Sequence, residues 1–174
     1  MEEIIKLFNH ERPNFDGKQL YIDHIDMLNN DLLTHQYNKT LNRIGNEKIV
    51  YHGTLLRYVN DILTQGFDPS MAGSHMSGHI GKGIYFSDLM CQSIYYQLKE
   101  EYTGDEKYFQ LIICKVALGN NIILKRTAST VNINLLNGYN SHMTKYDQQG
   151  KHGYEYCLFN ADQILPYALL HLRC

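Results

Sequence analysis

The segment "GKGIYFSD", residues 81–88, decides how this sequence is interpreted. Gly81 and Gly83 flank a lysine and allow the backbone to turn sharply. The apolar and aromatic run that follows is too short for a helix and predicts a brief strand. Ser87 and Asp88 then indicate the start of a helix. The segment therefore predicts a tightly built corner between a strand and a helix, and raises the question of what such a corner holds.

The composition is that of a soluble globular protein. A chain of 174 residues can bury one core and is short for two ordinary domains. Its formal charge of −2 argues against a strong electrostatic attraction to nucleic acid or to an acidic membrane surface. The amino terminus is acidic and lacks the order of a signal peptide. No apolar run is long enough to span a bilayer.

The four cysteines are widely spaced and form no CxxC pair, so they predict neither a zinc ribbon nor a disulfide framework. Reduced thiols are typical of the cell interior. We therefore expect an intracellular protein, either cytoplasmic or nuclear.

Periodicity predicts more helices early in the chain and more strands late. Residues 1–18 are interpreted as a small helix and a connector, and residues 19–174 as one domain. Helices are expected from Asn30 to Gly45, from a cap at Thr54 to Gly66, and over about 88–99. Residues 126–150 are rich in Asn, Ser, Thr and Gly and are interpreted as loop. This order favours an α+β fold with a largely antiparallel sheet.

Glu155 lies in the apolar segment "YEYCLFN", residues 154–160, which predicts a strand with two apolar faces. An unpaired carboxylate inside a core costs several kcal/mol. Either Glu155 lies at the solvent end of this strand, or it faces a cleft in which a ligand uses it.

His52 and its neighbours pose a similar choice. His52 follows a predicted strand and precedes a helix, a common location for a ligand contact, but a core histidine bonded to backbone fits equally well. Tyr85 and the Ser93–Tyr96 helix face could enclose a planar ring, although tyrosines at such spacing are more often core packing.

Taken together, these segments resemble the catalytic domain of the poly(ADP-ribose) polymerase family. The resemblance rests on "YHGT", "ILTQGF", "GKGIYFSD", "CQSIYY" and "YEYCLF" occurring in the family's order and spacing. It extends from about residue 20 to the end of the chain and weakens through 120–150. It implies a split, mainly antiparallel sheet with helices packed around a cleft that binds NAD.

The resemblance also implies roles for individual residues. The family's histidine, tyrosine and glutamate correspond here to His52, Tyr85 and Glu155. His52 would bond a ribose hydroxyl of NAD, and Glu155 the 2′-hydroxyl of the nicotinamide ribose. The residues implied to contact NAD are His52, Gly53, Thr54, Tyr85, Ser93 and Tyr96.

The implied activity is transfer of ADP-ribose from NAD⁺ to a protein acceptor, which could be the enzyme itself, with a nucleic-acid acceptor left open. Elongation to a polymer is chemically open because the glutamate is present. The alternative is a silent module of the same fold that binds NAD or ADP-ribose. An RNA 2′-phosphotransferase and a bacterial toxin of the related fold match the motifs less well.

Departures from the family limit what is implied. No DNA-break-sensing helical domain is expected, because about 20 residues precede the catalytic motifs. The zinc-binding cysteines of tankyrases have no counterpart. His75 and His79 have a spacing compatible with metal but no third ligand beside them, so no metal is expected. Whether these two histidines contact the adenosine half of NAD stays open.

Overall fold

The strands join into one eight-stranded sheet and one short hairpin. The computed structural model describes residues 1–15, 17–72, 78–97, 108–148 and 151–174. Its helices are α1 (Glu2–Glu11), α2 (Asp31–Ile44), α3 (Leu56–Gln65) and α4 (Met90–Gln97). Its strands are β1 (Asn14–Phe15), β2 (Lys18–Gln19), β3 (Tyr21–Met27), β4 (Glu47–His52), β5 (Ile84–Ser87), β6 (Tyr108–Ala117), β7 (Asn121–Ile123), β8 (Ser141–Gln148), β9 (Lys151–Leu158) and β10 (Ile164–Arg173).

The large sheet is mainly antiparallel, which confirms the predicted α+β class. Its strand order is β3-β10-β6-β4-β5-β9-β8-β7, and β1 pairs with β2 separately. Within the large sheet, β7 and β8 pair in parallel, and the other neighbouring strands run antiparallel. Strand β3 therefore forms one edge of the sheet, while β4, β5 and β9 lie together in its interior.

Strand β6 is buried on both faces of the sheet, because helices cover both sides. Ile112 and Val116 pack in the cluster that includes Val59 of α3. Leu111 and Ile113 point the other way and pack with residues of α1 and α4. Burial on both faces explains why this strand is a nearly continuous apolar run rather than an alternating one.

Helix α2 follows its predicted boundaries, whereas α3 begins later than predicted. Asn30 caps α2 by accepting a hydrogen bond from the Leu33 N–H at 3.1 Å, and Gly45 ends it. The cap expected at Thr54 is wrong: α3 begins at Leu56 after an extended Leu55, whose side chain makes no capping bond. Thr54 instead lies half-buried in the turn between β4 and α3.

Helix α4 begins at Met90, not at residue 88. Its first amides are capped by a distant carboxylate: Glu11 accepts from the N–H of Met90 at 2.8 Å and of Cys91 at 3.1 Å. Asp88 instead accepts from the Tyr154 N–H of β9 at 2.7 Å. The end of α1 is thus bonded to the start of α4.

The loop predicted over residues 126–150 is wrong for its last third, because residues 141–148 form β8 and pair with β9. This strand buries polar side chains that find backbone partners. Ser141 donates to the Leu118 carbonyl at 2.8 Å, and His142 bonds the Ile80 carbonyl at 2.7 Å. Among the described residues, no helix is long and apolar enough to cross a membrane.

Candidate active site

The residues predicted to form the site lie on the adjacent strands β4, β5 and β9, in the turn that follows β4, and on α4. In the sheet register, Tyr51 of β4 faces Ser87 of β5, and Ser87 faces Glu155 of β9. Neighbouring strands are about 4.8 Å apart, so Tyr51 and Glu155 are separated by about 10 Å. His52 ends β4, immediately after Tyr51, and Tyr85 lies two residues before Ser87. The sheet therefore brings residues that are far apart in sequence into one region.

His52 is held by one ring nitrogen and packs on two phenylalanines. Its Nδ1 lies 2.8 Å from the Tyr85 carbonyl oxygen, which can only accept, so Nδ1 carries the proton. The ring centroids of Phe67 and Phe86 are 4.9 and 5.3 Å away. Burial lowers the pKa of His52 to about 4. At neutral pH the uncharged ring therefore keeps a lone pair on Nε2.

Gly53 and Ser93 meet where β4 ends against α4. A Cβ on Gly53 would overlap the carbonyl group of Ser93, so the close approach requires glycine. Ser93 is buried, and its hydroxyl donates to the Tyr51 carbonyl at 2.9 Å. The backbone of Gly53 and the Ser93 side chain are thus fixed next to each other.

Tyr85 closes the corner that the sequence predicts. Its hydroxyl donates to the Gly81 carbonyl at 2.9 Å and accepts from the Ile80 N–H at 2.8 Å. Burial raises the pKa of this phenol. Gly81 has a φ of +135°, and a Cβ on Gly83 would lie 2.5 Å from the Leu158 carbonyl oxygen. Both glycines of "GKGIY" are therefore needed where they stand.

Glu155 does not lie at a solvent end of its strand. It is 2% exposed and has partners on both carboxylate oxygens. Oε1 accepts from Gln92 Nε2 at 2.7 Å and from the Tyr96 hydroxyl at 3.2 Å. Burial, followed by the Glu155 charge, raises the pKa of Tyr96 to about 12, so this phenol stays a donor. We call Glu155, Gln92, Tyr96 and Arg126 the Glu155 site.

Arg126 and Gln92 are the members of this site that the sequence interpretation missed, and Arg126 carries the charge. Its guanidinium forms an ion pair with Glu155 Oε2, and it lies 5.9 Å from the ring centroid of Tyr146. The side chain of Arg126 is 37% exposed, whereas that of Glu155 is 3% exposed. Arg126 thus covers the buried carboxylate from the solvent side. Two adjacent cations, Lys125 and Arg126, after a short strand give no sequence signal for such a contact.

Only one of the two histidines considered for metal binding lies in the described part of the chain. His75 lies outside the described residues. His79 is half-buried, and its backbone carbonyl accepts from the Thr130 hydroxyl at 2.9 Å. Tyr96, expected to stack on a ring, bonds Glu155 through its hydroxyl, while the neighbouring Tyr95 is exposed.

The fold and the match to known proteins define the family. The chain matches the model of the poly(ADP-ribose) polymerase catalytic domain over residues 1–173, and it belongs to that family. The match begins at residue 1 and so also takes in α1, which the resemblance seen in the sequence left out.

The chain is also similar to two poly(ADP-ribose) polymerases and to a mono-ADP-ribosyltransferase. The chain is 27% identical over 124 residues to Poly [ADP-ribose] polymerase 1 of Oryza sativa subsp. japonica, covering 71% of the chain and 12% of that protein. It is 34% identical over 104 residues to Poly [ADP-ribose] polymerase 1 of Caenorhabditis elegans, covering 58% and 10%. It is 33% identical over 91 residues to Protein mono-ADP-ribosyltransferase PARP4 of Mus musculus, covering 48% and 4%. The chain thus spans about a tenth of the length of the first two relatives.

Proposed function

We propose that this domain is an NAD⁺-dependent ADP-ribosyltransferase that breaks the nicotinamide–ribose bond and transfers ADP-ribose to a protein acceptor. The observation that carries the proposal is Glu155, a carboxylate 2% exposed on an interior strand of a family-matched sheet. Burying a charge is costly unless paired groups and hydrogen bonds offset it. A position this costly is best explained by chemistry that needs a negative charge there.

In this proposal the two ends of the site bind two parts of the nicotinamide riboside. The Gly53 backbone and the Ser93 hydroxyl bond the carboxamide, beside the Thr54 turn, and the rings of Tyr85 and Tyr96 flank the nicotinamide. The free Nε2 of neutral His52 accepts from a ribose hydroxyl. The separation of about 10 Å between Tyr51 and Glu155 suits a ligand that spans two strand spacings.

The chemistry follows from the charge of NAD⁺. Its pyridinium ring is positive, so nicotinamide leaves as a neutral molecule and needs no proton. The ribose that remains acquires positive charge as the bond breaks. A fixed carboxylate stabilises this charge more strongly in the transition state than in the ground state, which lowers the barrier. Glu155 would also accept the proton of a hydroxyl acceptor.

In this proposal Arg126 moves away from Glu155 when NAD⁺ binds. Gln92 and Tyr96 bond Oε1 and the guanidinium covers Oε2, so displacing the guanidinium gives a ribose hydroxyl direct access to Oε2. The displaced guanidinium would then lie near the pyrophosphate side of the ligand, where a cation is favoured. In this proposal the ion pair stabilises the carboxylate in the free enzyme and opens when NAD⁺ binds.

A transfer assay with NAD⁺ labelled in its adenylate tests this proposal. We expect the wild-type domain to attach label to itself or to an added protein. Glu155→Gln should reduce transfer by about 100- to 1000-fold, the usual effect of removing a transition-state charge partner. Glu2→Gln, on the exposed first turn of α1, is the matched control and should transfer like wild type. Single shifts or ladders on a gel distinguish one unit from a polymer.

A second candidate function is that of a module of this fold that binds NAD or ADP-ribose without transferring it. The ion pair between Arg126 and Glu155 favours this candidate. If Arg126 never leaves Glu155, the guanidinium covers the solvent side of the carboxylate, from which a ribose hydroxyl would approach. The two candidates differ in one result: the silent module binds NAD⁺ with normal affinity but releases no nicotinamide. Arg126→Ala would then gain binding strength without gaining turnover.

A further inference from the structure

At the edge of the sheet farthest from β7, three side chains converge that no step of the proposed reaction uses. His24 and Asp26 are alternate residues of β3 and therefore share a face of the sheet. His171 of β10 pairs directly opposite His24 in the register. We call His24, Asp26 and His171 the His24 cluster.

The ligand atoms of this cluster are close enough to share one ion. One atom from each residue can be chosen such that all three lie within 4.8 Å of one another. Asp26 Oδ2 is 2.9 Å from His171 Nε2 and 3.8 Å from His24 Nε2. Two ligands bound at about 2.1 Å to a tetrahedral zinc ion are about 3.4 Å apart. Rotation of the exposed His24 side chain would bring its Nε2 to this spacing from the other two ligand atoms.

Both histidines direct Nε2 toward Asp26. His24 Nδ1 is 2.9 Å from the Asp23 carboxylate, so it carries a proton and leaves the Nε2 lone pair directed to Asp26. His171 Nε2 donates to Asp26 in the metal-free protein, because a carboxylate only accepts, and its Nδ1 accepts from the Tyr108 hydroxyl. An ion bound at Nε2 would replace this proton. Such outer hydrogen bonds fix the tautomer and orientation of metal-binding histidines.

The exposure of the cluster also suits an ion that arrives from solution. The side chains of His24 and Asp26 are 51% and 55% exposed, while that of His171 is 7% exposed. The buried histidine anchors the site, and the exposed pair leaves an entry path. The two imidazole rings stack with centroids 3.7 Å apart, so the exposed His24 ring must turn out of this stack for both in-plane lone pairs to reach one ion.

From these observations we propose that His24, Asp26 and His171 bind one divalent transition-metal ion of the zinc type, with water completing the coordination. Two imidazole nitrogens and one carboxylate oxygen suit zinc better than Mg²⁺ or Ca²⁺, which prefer oxygen ligands. The ion would connect the edge strand β3 to β10. It would stabilise the sheet four strands away from β9 and take no part in catalysis. The sequence alone predicts no metal, because the third ligand becomes adjacent only through the strand register.

Zinc titration of the purified domain by calorimetry, with cobalt absorption as a second readout, tests this site. We expect one Zn²⁺ per chain, and Co²⁺ should give the visible bands of an imidazole-bound ion. His24→Ala and Asp26→Ala should each weaken Zn²⁺ binding by at least about 100-fold, since each removes a direct ligand. Asp23→Asn should weaken it by about 10-fold through His24. Zinc at a hundredfold excess over Kd should raise the Tm by roughly 5–10 °C.

Controls exclude other potential zinc ligands. His35→Ala, an exposed histidine of α2, and Cys174→Ser should both bind Zn²⁺ like wild type. The double variant His75→Ala/His79→Ala should also keep the site. The proposal is wrong if wild type binds no zinc below millimolar concentration. It is equally wrong if His24→Ala binds Zn²⁺ as tightly as wild type, because the ion then has other ligands.

Discussion

The Glu155 site and the His24 cluster lie on one sheet and both combine a carboxylate with neighbouring donors, but they differ in burial. Glu155 is 2% exposed and is bonded by Gln92, Tyr96 and Arg126. Asp26 is half-exposed at an edge strand, and His24 beside it is also exposed. Water can replace a lost partner at the edge but not in the interior. Similar side chains therefore have different energetic consequences in the two places.

The largest expected effect concerns space in the interior site. Gly53→Ala places a methyl group against the Ser93 carbonyl, a backbone atom that cannot move alone. We expect a loss of about 3 kcal/mol in the free energy of unfolding, together with loss of NAD⁺ binding. Urea denaturation measures the first effect and calorimetry the second.

Gly138→Ala is the matched control for this change. Gly138 has a φ of +84° with nothing within 4 Å of an added Cβ, so it tests backbone strain without crowding. We expect a loss of about 1 kcal/mol there and unchanged NAD⁺ binding. Equal losses at the two glycines would contradict the close approach of β4 and α4.

The next effect concerns charge. Arg126→Ala leaves Glu155 with hydrogen bonds but no cation, and we expect a loss of about 2 kcal/mol in stability. Breaking a fully buried pair costs about 3–5 kcal/mol, but Arg126 is 37% exposed and water partly replaces it. Adding Glu155→Gln to this variant should recover most of the loss, and a double-mutant cycle measures the coupling.

The edge provides the comparison for this prediction. Asp26→Asn removes a similar carboxylate from His171 in metal-free protein, where the pair is half-exposed. We expect a change of at most about 0.5–1 kcal/mol. A larger loss at Asp26 than at Arg126 would reverse the order that burial predicts.

A further effect is the dependence of stability on pH. The pKa of His52 is about 4 in the folded state and about 6.5 when unfolded. The unfolded chain therefore takes up this proton first, and the contribution of His52 to stability is complete above pH 6.5 and declines as the pH falls toward 4. His142, whose pKa is also lowered by burial, adds a decline of the same sign.

Urea denaturation between pH 7.5 and 4.5 measures this slope. His52→Gln should flatten the curve relative to wild type, and the remaining slope contains His142. A titration of the histidine ring protons by NMR that places His52 near 6.5 would contradict the burial argument.

The sequence predicts the elements of the sheet well where local chemistry determines them. Asn30 and Gly45 bound α2, and the apolar run of β6 marks a strand buried on both faces. Gly81 and Gly83 mark the corner that Tyr85 closes. In these segments, propensity and tertiary structure favour the same conformation.

The sequence fails where a distant partner decides the outcome. β8 looks like a loop because Ser141 and His142 are polar, and they are buried only because Leu118 and Ile80 supply carbonyl acceptors. The cap of α4 comes from Glu11, nearly 80 residues earlier in the chain. The contact between Arg126 and Glu155 depends on where the long Arg126 side chain extends in the fold.

The His24 cluster is an intermediate case. The alternation of His24 and Asp26 on one strand face can be read directly from the sequence. His171 cannot be assigned to them without the register of β3 against β10. The ligands of a site assembled across strands can therefore be identified only when the pairing of the strands is known.

Release of nicotinamide from NAD⁺ by the purified domain, measured alongside NAD⁺ affinity, tests the central claim most directly. Wild type should bind NAD⁺ and release nicotinamide, whereas Glu155→Gln should bind it with similar affinity and release it at least about 100-fold more slowly. Equal release rates in the two proteins would contradict the claim, because the buried carboxylate would then have no effect on the ribose as the bond breaks.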